Sequence, residues 1–238
     1  MKRIIKKIIR ILFFPFIILD YLKFFKFHNK RFTVKFSDFY PCIKDKTIKT
    51  NFDAHYIYHT SWAARKLKEI SPTKHIDISS SLYFSGIVSA FIPVDFYDYR
   101  PADLKLSGLT SRHADLTNLD FSDNSIASLS CMHTVEHIGL GRYGDKFDPD
   151  GDLKAISELK RVLSKEGSLL FVVPVGKPKI EFNAHRIYSF EQIADYFKEL
   201  TLKEFSLITD NGDFIEDANP KLVNDQKYGC GCFWFNKK

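Results

Sequence analysis

Apolar and polar positions change period several times along this chain, and each change marks an element. From residue 2 to residue 27 they recur at helical spacing. Lys2, Arg3, Lys6, Lys7 and Arg10 share one face, and Ile4, Ile5, Ile8, Ile9, Ile11 and Leu12 share the other. Residues 28–50 show no period. A helix is predicted over 54–70, ended by Ser71-Pro72, then a short apolar strand over 75–78 and a turn at Ser79-Ser80-Ser81. Residues 82–91 read as a helix, 93–99 as a second strand, 112–115 as a third and 125–132 as a buried fourth. Residues 152–163 form an amphipathic helix with Leu153, Ile156, Leu159, Val162 and Leu163 on one side and Gly167 as its stop signal. Residues 168–175 are almost continuously apolar, as expected of a strand covered on both faces. A helix over 190–200 and strands over 202–208 and 229–235 complete the pattern. Strands separated by helices predict an α/β domain of three layers about a mostly parallel sheet. The last two strands lack a long helix between them, which predicts an antiparallel C-terminal edge.

The 238 residues are 45% hydrophobic and 27% charged, ordinary for a globular chain and long enough to bury a core. Four cysteines (Cys42, Cys131, Cys230, Cys232) are too few for a disulfide scaffold and point to a reducing cytoplasm. The net charge of +6 is unevenly placed: residues 1–31 carry nine Lys and Arg against Asp20 alone, a local +8, which leaves the rest at −2. A nucleic-acid enzyme carries its positive charge around the working cleft, so no nucleic-acid partner is expected. The apolar run from Ile11 to Leu19 is nine residues and contains Pro15; a bilayer span needs roughly 20. No small-residue cleavage site follows, so the segment 1–31 is expected to lie in the interface of an anionic membrane, at its cytoplasmic face. The alternative is a helix whose apolar side packs on the domain 50–238.

Polar clusters end four of the predicted strands: 77–81, Asp98-Tyr99-Arg100, Asp115 and His133-Thr134-Val135-Glu136-His137. Ligands in open α/β sheets bind at the carboxyl ends of the strands, so these clusters are expected to line one crevice. The last cluster has the H-x-x-E-H spacing of inverted zinc proteases, but those histidines share a helix face, whereas this cluster follows a strand; a site-shaping or acid–base role is expected instead. The segment 139–152 holds three glycines in its first half and Asp145, Asp148, Asp150 and Asp152 beside Arg142 and Tyr143. It reads as a substrate lid in which Arg142 clamps an anion, with Asp150 or Asp152 as the cap of the following helix. Asn183, His185 and Arg186 follow the fifth strand and are expected to face the crevice, as base and anion clamp in the case of the last two. Cys230 and Cys232 share one face of a strand, and two thiols alone make a weak metal case, so no metal is expected.

The stretch from Asp115 to Gly139, followed by 153–175, resembles the second half of a class I S-adenosylmethionine-dependent methyltransferase. More closely, HIDISSSLYFSGIVSAF, FYDYRPADLKLSGL, EHIGLGRYGDKFDPDGD and VPVGKPKIEFNAHRIYSFEQI resemble the family known as domain of unknown function 268, over about residues 50–210. The resemblance implies a Rossmann-like sandwich and S-adenosylmethionine as cofactor. Asp77 would sit beside the cofactor loop, Asp98 would accept the ribose hydroxyls with Asp95 as its competitor, and Asp115 would contact the adenine amine. His133, Glu136, His137 and His185 are the candidate proton acceptors. Arg142, Tyr143, Asn183 and Arg186 are the candidate substrate contacts. The chain departs from the methyltransferase pattern at the first loop, where Ser79, Ser81 and Tyr83 fill the three glycine positions, so Ser79 and Ser81 would have to serve in their place. The implied reaction is methyl transfer to an oxygen or nitrogen of a sugar or lipid-linked saccharide in surface polysaccharide synthesis. The rival reading is a non-catalytic module that kept the fold and lost the cofactor.

Overall fold

The computed structural model describes residues 2–27, 31–43 and 45–238, with side chains from Phe14 onward within those ranges. The chain divides into two compact units, Met1–Phe52 and Asp53–Lys238. In the first, helix α1 (Lys2–Phe27) continues through Pro15. Tyr21 packs edge-on to Phe36 and Phe39, and Asp20 pairs with Lys46. Phe16, Leu19, Phe24 and Phe27 remain exposed. The cationic face formed by Lys2, Arg3, Lys6, Lys7 and Arg10 lies outside the described side chains. No helix among the described residues is long and apolar enough to cross a membrane.

The second unit begins where Asp53 accepts the Tyr56 backbone N–H and caps helix α2 (Ala54–Ile70), which ends on Ser71 in the left-handed region. There follow β1 (His75–Ile78), α3 (Leu82–Val88), β2 (Val94–Asp98), β3 (Leu109–His113), β4 (Ile126–Met132), α4 (Gly151–Val162) and β5 (Leu163–Val175). The chain closes with β6 (Lys179–Glu181), β7 (His185–Ile187), α5 (Phe190–Tyr196), β8 (Leu200–Ile208), β9 (Phe214–Ile215) and β10 (Gly229–Lys237). One sheet runs β3-β2-β1-β4-β5-β10-β8-β9; β3 through β5 are parallel, while β10 is antiparallel to both its neighbours and β9 is antiparallel to β8. This is the expected α/β sandwich of Rossmann-like type with an antiparallel C-terminal side.

Alternation along the central strands sorts the core into two faces. Leu170 and Val172 of β5 pack with Trp62, Ala63 and Leu67 of α2, Phe84 and Val88 of α3, and Cys230 and Cys232 of β10. Leu169, Phe171 and Val173 face the other way, onto Ala155, Ile156 and Leu159 of α4 and Ile193 and Phe197 of α5. The two buried faces explain why β5 reads as a continuous apolar run.

Several boundaries move from their expected places. Helix α4 keeps its expected bounds to within one residue, but its stop is not Gly167: the backbone N–H groups of Asn124 and Ser125 take the Arg161 and Val162 carbonyls, each at 2.9 Å, and turn the chain directly into β5. Gly167 serves a register shift instead: a Cβ there would stand 2.8 Å from the Ser164 carbonyl oxygen and 3.0 Å from that of Ile126. The third strand lies at Leu109–His113, so Asp115 is past its end, in a turn closed by Thr117. Helices α3 and α5 stop short of residues 91 and 200. The hairpin β6–β7 has no counterpart in the sequence reading.

Candidate functional site

The sheet order reverses between β1 and β4, and a cavity of about 580 Å³ opens there at the carboxyl ends of the strands. That volume falls within the usual range of small-molecule sites, roughly 300–1,000 Å³. Its walls come from the loop after β1 (Ser79, Ser80, Ser81), the loop after β2 (Asp98, Tyr99, Arg100), the turn after β3 (Asp115, Thr117), the residues after β4 (His133, Thr134, His137) and the segment 139–148. The four clusters expected to meet do meet. Tyr56 of α2 and Lys154 of α4 also reach this cavity.

The first loop achieves its path without glycine. Ser79 itself takes φ +57, the left-handed region, and its N–H and hydroxyl both bond the Tyr97 carbonyl, at 2.7 and 3.2 Å. The Ser80 hydroxyl accepts the Met132 N–H at 3.0 Å, and Thr134 donates to the Ser79 carbonyl at 3.0 Å. Ser79 and Ser80 therefore spend their hydroxyls on holding the loop, and Ser81 makes no side-chain cap bond to α3.

Asp77 does not belong to the wall. It is fully buried beneath the loop, where Ser130 donates to Oδ1 at 2.6 Å and Ser85 donates to Oδ2; burial pushes its carboxyl up to about 6. It ties β1 to β4 and α3. Asp98 and Asp95 separate just as clearly. Asp95 is buried, paired with Lys74 at 2.6 Å and Thr110 at 2.6 Å. Asp98 accepts the Arg100 N–H at 2.7 Å and lines the cavity, as does Asp115, which accepts the Thr117 N–H and hydroxyl at 2.8 and 2.7 Å.

After β4 the backbone turns sharply, with His133 at φ +55 and a single 3-10 turn at Val135–His137. Glu136 is buried between two histidines: Oε1 lies 2.9 Å from His133 Nδ1 and 3.6 Å from His137 Nε2. Burial pushes the Glu136 carboxyl up to about 7 and the His133 imidazole down to about 4, so at neutral pH the shorter contact is a hydrogen bond involving a neutral imidazole. His137 Nδ1 stands 2.6 Å from the Ala184 carbonyl, which assigns the proton to Nδ1 and leaves Nε2 as the lone-pair nitrogen. His133 and His137 line the cavity; Glu136 is behind them, and His185 packs at a tilt against Tyr228 outside that wall, 4.8 Å between ring centroids.

The segment 139–151 is shaped by its glycines and one aspartate. Gly139, Gly141 and Gly144 have φ of +80, +69 and +85, and Asp145 accepts the N–H groups of Gly139, Gly141 and Tyr143. Arg142 pairs with none of the neighbouring aspartates. It donates to the Ala184 carbonyl at 2.9 Å and lies over Tyr143, but it stands outside the cavity wall, to which Tyr143 belongs. Two expectations are corrected. Neither Asp150 nor Asp152 caps α4 through its side chain: Asp152 is buried and accepts the Tyr188 hydroxyl at 2.9 Å. Arg186 is no anion clamp, being 5% exposed with its guanidinium on the Ile138 and Pro149 carbonyls, at 2.7 and 3.1 Å, and 3.5 Å from Asp152. It fastens the segment 138–150 to β7. Asn183 is exposed and does not line the cavity.

Sequence reading missed a second cluster behind His133. His55 stacks at 5.6 Å and Tyr56 at 5.6 Å on the His133 ring, and His59 meets it edge-on at 5.0 Å. Cys230 Sγ is 3.3 Å from His133 Nε2. The available signal was His55 and His59, four apart on one helix face.

The strand order, with parallel β3 through β5 and an antiparallel C-terminal side, is an α/β fold of the class I methyltransferase type. Within that class the chain resembles the family described as Caenorhabditis protein of unknown function, DUF268, which matches residues 97–209. No curated protein matches the sequence. Among solved structures, the fold is similar to a proposed sarcosine dimethylglycine methyltransferase from Galdieria sulphuraria (TM-score 0.55, 13% identity, 76% of this chain and 86% of that one). It is also similar to the N-methyltransferase NodS from Bradyrhizobium japonicum in complex with S-adenosyl-L-homocysteine (0.52, 12%, 79% and 89%). A third likeness is to the YcgJ protein from Bacillus subtilis (0.51, 14%, 76% and 99%).

Proposed function

We propose that the chain is an S-adenosylmethionine-dependent methyltransferase acting on an oxygen or nitrogen of a sugar or lipid-linked saccharide at an anionic membrane surface. The observation that carries the reading is the pair of carboxylates, Asp98 and Asp115, standing on one cavity at the switch point of a methyltransferase-type sheet. The donor set fits the cofactor: a ribose diol and an exocyclic amine both present hydrogens, and carboxylates accept them. The left-handed Ser79 supports the same reading, since the backbone path that glycine ordinarily provides is present without it. The bound cofactor supplies an electrophilic methyl group on a sulfonium.

Asp98 and Asp115 hold the nucleoside end, and the walls exclude water and fix the acceptor's approach. His137, with Nδ1 anchored on Ala184, offers Nε2 to take the acceptor's proton as its oxygen or nitrogen attacks. Arg100 and Lys146 on the cavity wall, with Lys154 beside them on its ion pair to Asp148, suit a phosphate-bearing saccharide. The exposed Phe16, Leu19 and Phe24 of α1, with the cationic residues of its sequence, suit a peripheral membrane helix. The rival, a cofactor-free module in envelope-polysaccharide assembly, draws on Ser79 and Ser80, whose hydroxyls are already committed within the loop. Calorimetric titration with S-adenosylmethionine and S-adenosylhomocysteine decides between them: saturable binding of both supports the enzyme, and binding of neither overturns it.

A further inference from the structure

Three side chains from distant parts of the chain converge behind the cavity wall. His55 comes from the first turn of α2, His133 from the bend after β4, and Cys230 from the start of β10. One ring nitrogen of each histidine and the cysteine sulfur all lie within 4.8 Å of one another. We propose that His55, His133 and Cys230 form a site for one zinc-class transition-metal ion, with a fourth coordination position left open. This goes beyond methyl transfer and does not depend on it.

The geometry suits such an ion. Bonds of about 2.0–2.3 Å to nitrogen and sulfur in a tetrahedron set neighbouring ligand atoms about 3.3–3.8 Å apart. Cys230 Sγ and His133 Nε2 already stand 3.3 Å apart. His55, half-buried and stacked between His133 and Tyr228, brings a ring nitrogen within 4.8 Å of both other ligand atoms. The chemistry suits it too: two imidazoles and a thiolate are intermediate-to-soft ligands that favour zinc, cobalt or copper over magnesium or calcium, which take oxygen.

The surroundings point the same way. Glu136 Oε1 lies 2.9 Å from His133 Nδ1, so the carboxylate orients the ring with Nε2 toward Cys230. A carboxylate behind a ligating histidine is the usual support of a zinc site. Of the four buried side-chain atoms without a hydrogen-bond partner among the described residues, two belong to side chains in contact with His133: Glu136 Oε2, and Nε2 of His59, whose Nδ1 is held on the His55 carbonyl at 2.7 Å. Buried acceptors left without a donor or cation are rare in folded proteins, and a dication beside them supplies the missing positive charge. On binding, the Cys230 thiol releases its proton to solvent and a sulfur–metal bond replaces the S–H bond. His133 and Tyr56 also line the cavity, so the ion would stand at the inner end of the proposed site.

The full-length chain, stripped with a chelator, is titrated with Zn²⁺ by calorimetry and with Co²⁺ by absorption. One equivalent of each should bind, with a thiolate-to-cobalt charge-transfer band. Cys230→Ser should abolish the band, His55→Ala should remove stoichiometric binding, and Glu136→Gln should weaken it by about 10- to 100-fold. Cys42→Ser, at an exposed cysteine outside the set, should leave the band intact. Circular dichroism checks that each variant is folded; if Cys230→Ser is not, His55→Ala at its half-buried position carries the test. Failure of the unmodified chain to bind either ion, or a charge-transfer band that survives Cys230→Ser or His55→Ala, overturns the assignment.

Discussion

The Arg100 guanidinium lies over the Tyr143 ring, 4.6 Å from its centroid, and joins the loop after β2 to the glycine-shaped segment 139–151 across the cavity. Both residues line that cavity. An exposed cation–π contact contributes only about 0.5–1 kcal/mol. Tyr143→Ala should therefore leave the melting temperature nearly unchanged while weakening cavity ligands several-fold, because a wall is lost. Equal affinity in titrations of the variant and the parent would remove Tyr143 from the site.

Asp98→Ala should weaken S-adenosylmethionine by 10-fold or more, on the order of 1.5–3 kcal/mol for hydrogen bonds to a charged acceptor, with stability preserved. Asp95→Ala should do the reverse: lose about 1–3 kcal/mol of stability, because Thr110 and Lys74 lose their partner, and keep the affinity. Calorimetry and urea unfolding on the two variants separate the roles.

Arg186→Ala should be strongly destabilising. It leaves buried Asp152 without its cation and the Ile138 and Pro149 carbonyls without a donor, a loss of about 3–5 kcal/mol in urea unfolding. A stable variant defective only in ligand binding would restore Arg186 as a substrate contact.

His75 is buried between the Ser128 and Ser130 hydroxyls, both at 2.8 Å, and burial pushes its imidazole down from 6.5 to about 3. Between those values the unfolded chain binds a proton that the folded chain refuses, so stability rises with pH across this window and falls on acidification. One such group contributes a slope of about 1.4 kcal/mol per pH unit. The unfolding free energy of His75→Gln, measured between about pH 4 and 6, should fall less steeply than that of the parent by that amount. Parallel curves would show that His75 is protonated in the folded state.

Residues 1–27 hold seven basic residues and one acid. On anionic liposomes each cation near the surface contributes about 1 kcal/mol, so sedimentation should show binding that weakens with salt and disappears when residues 1–27 are deleted. Equal binding by the shortened chain would place the membrane contact elsewhere or abolish it.

Period and propensity along the sequence were enough for Ala54–Ile70, His75–Ile78, the double-faced β5 and the convergence of strand-end polar residues, because each follows from local spacing and from the rule that ligands meet parallel strands at their carboxyl ends. Tertiary contacts decided the rest. Helix α4 ends where Asn124 and Ser125, nearly forty residues upstream, take its last carbonyls. Asp95 and Asp98 are equivalent acids in the sequence, and only the sheet turns one into an ion pair with Lys74 and the other toward the cavity. Arg186 reads as a clamp until its buried carbonyl partners are seen. His55, His133 and Cys230 are 78 and 97 positions apart, so no spacing links them; the sheet's crossovers do, by setting the start of α2, the end of β4 and the start of β10 side by side.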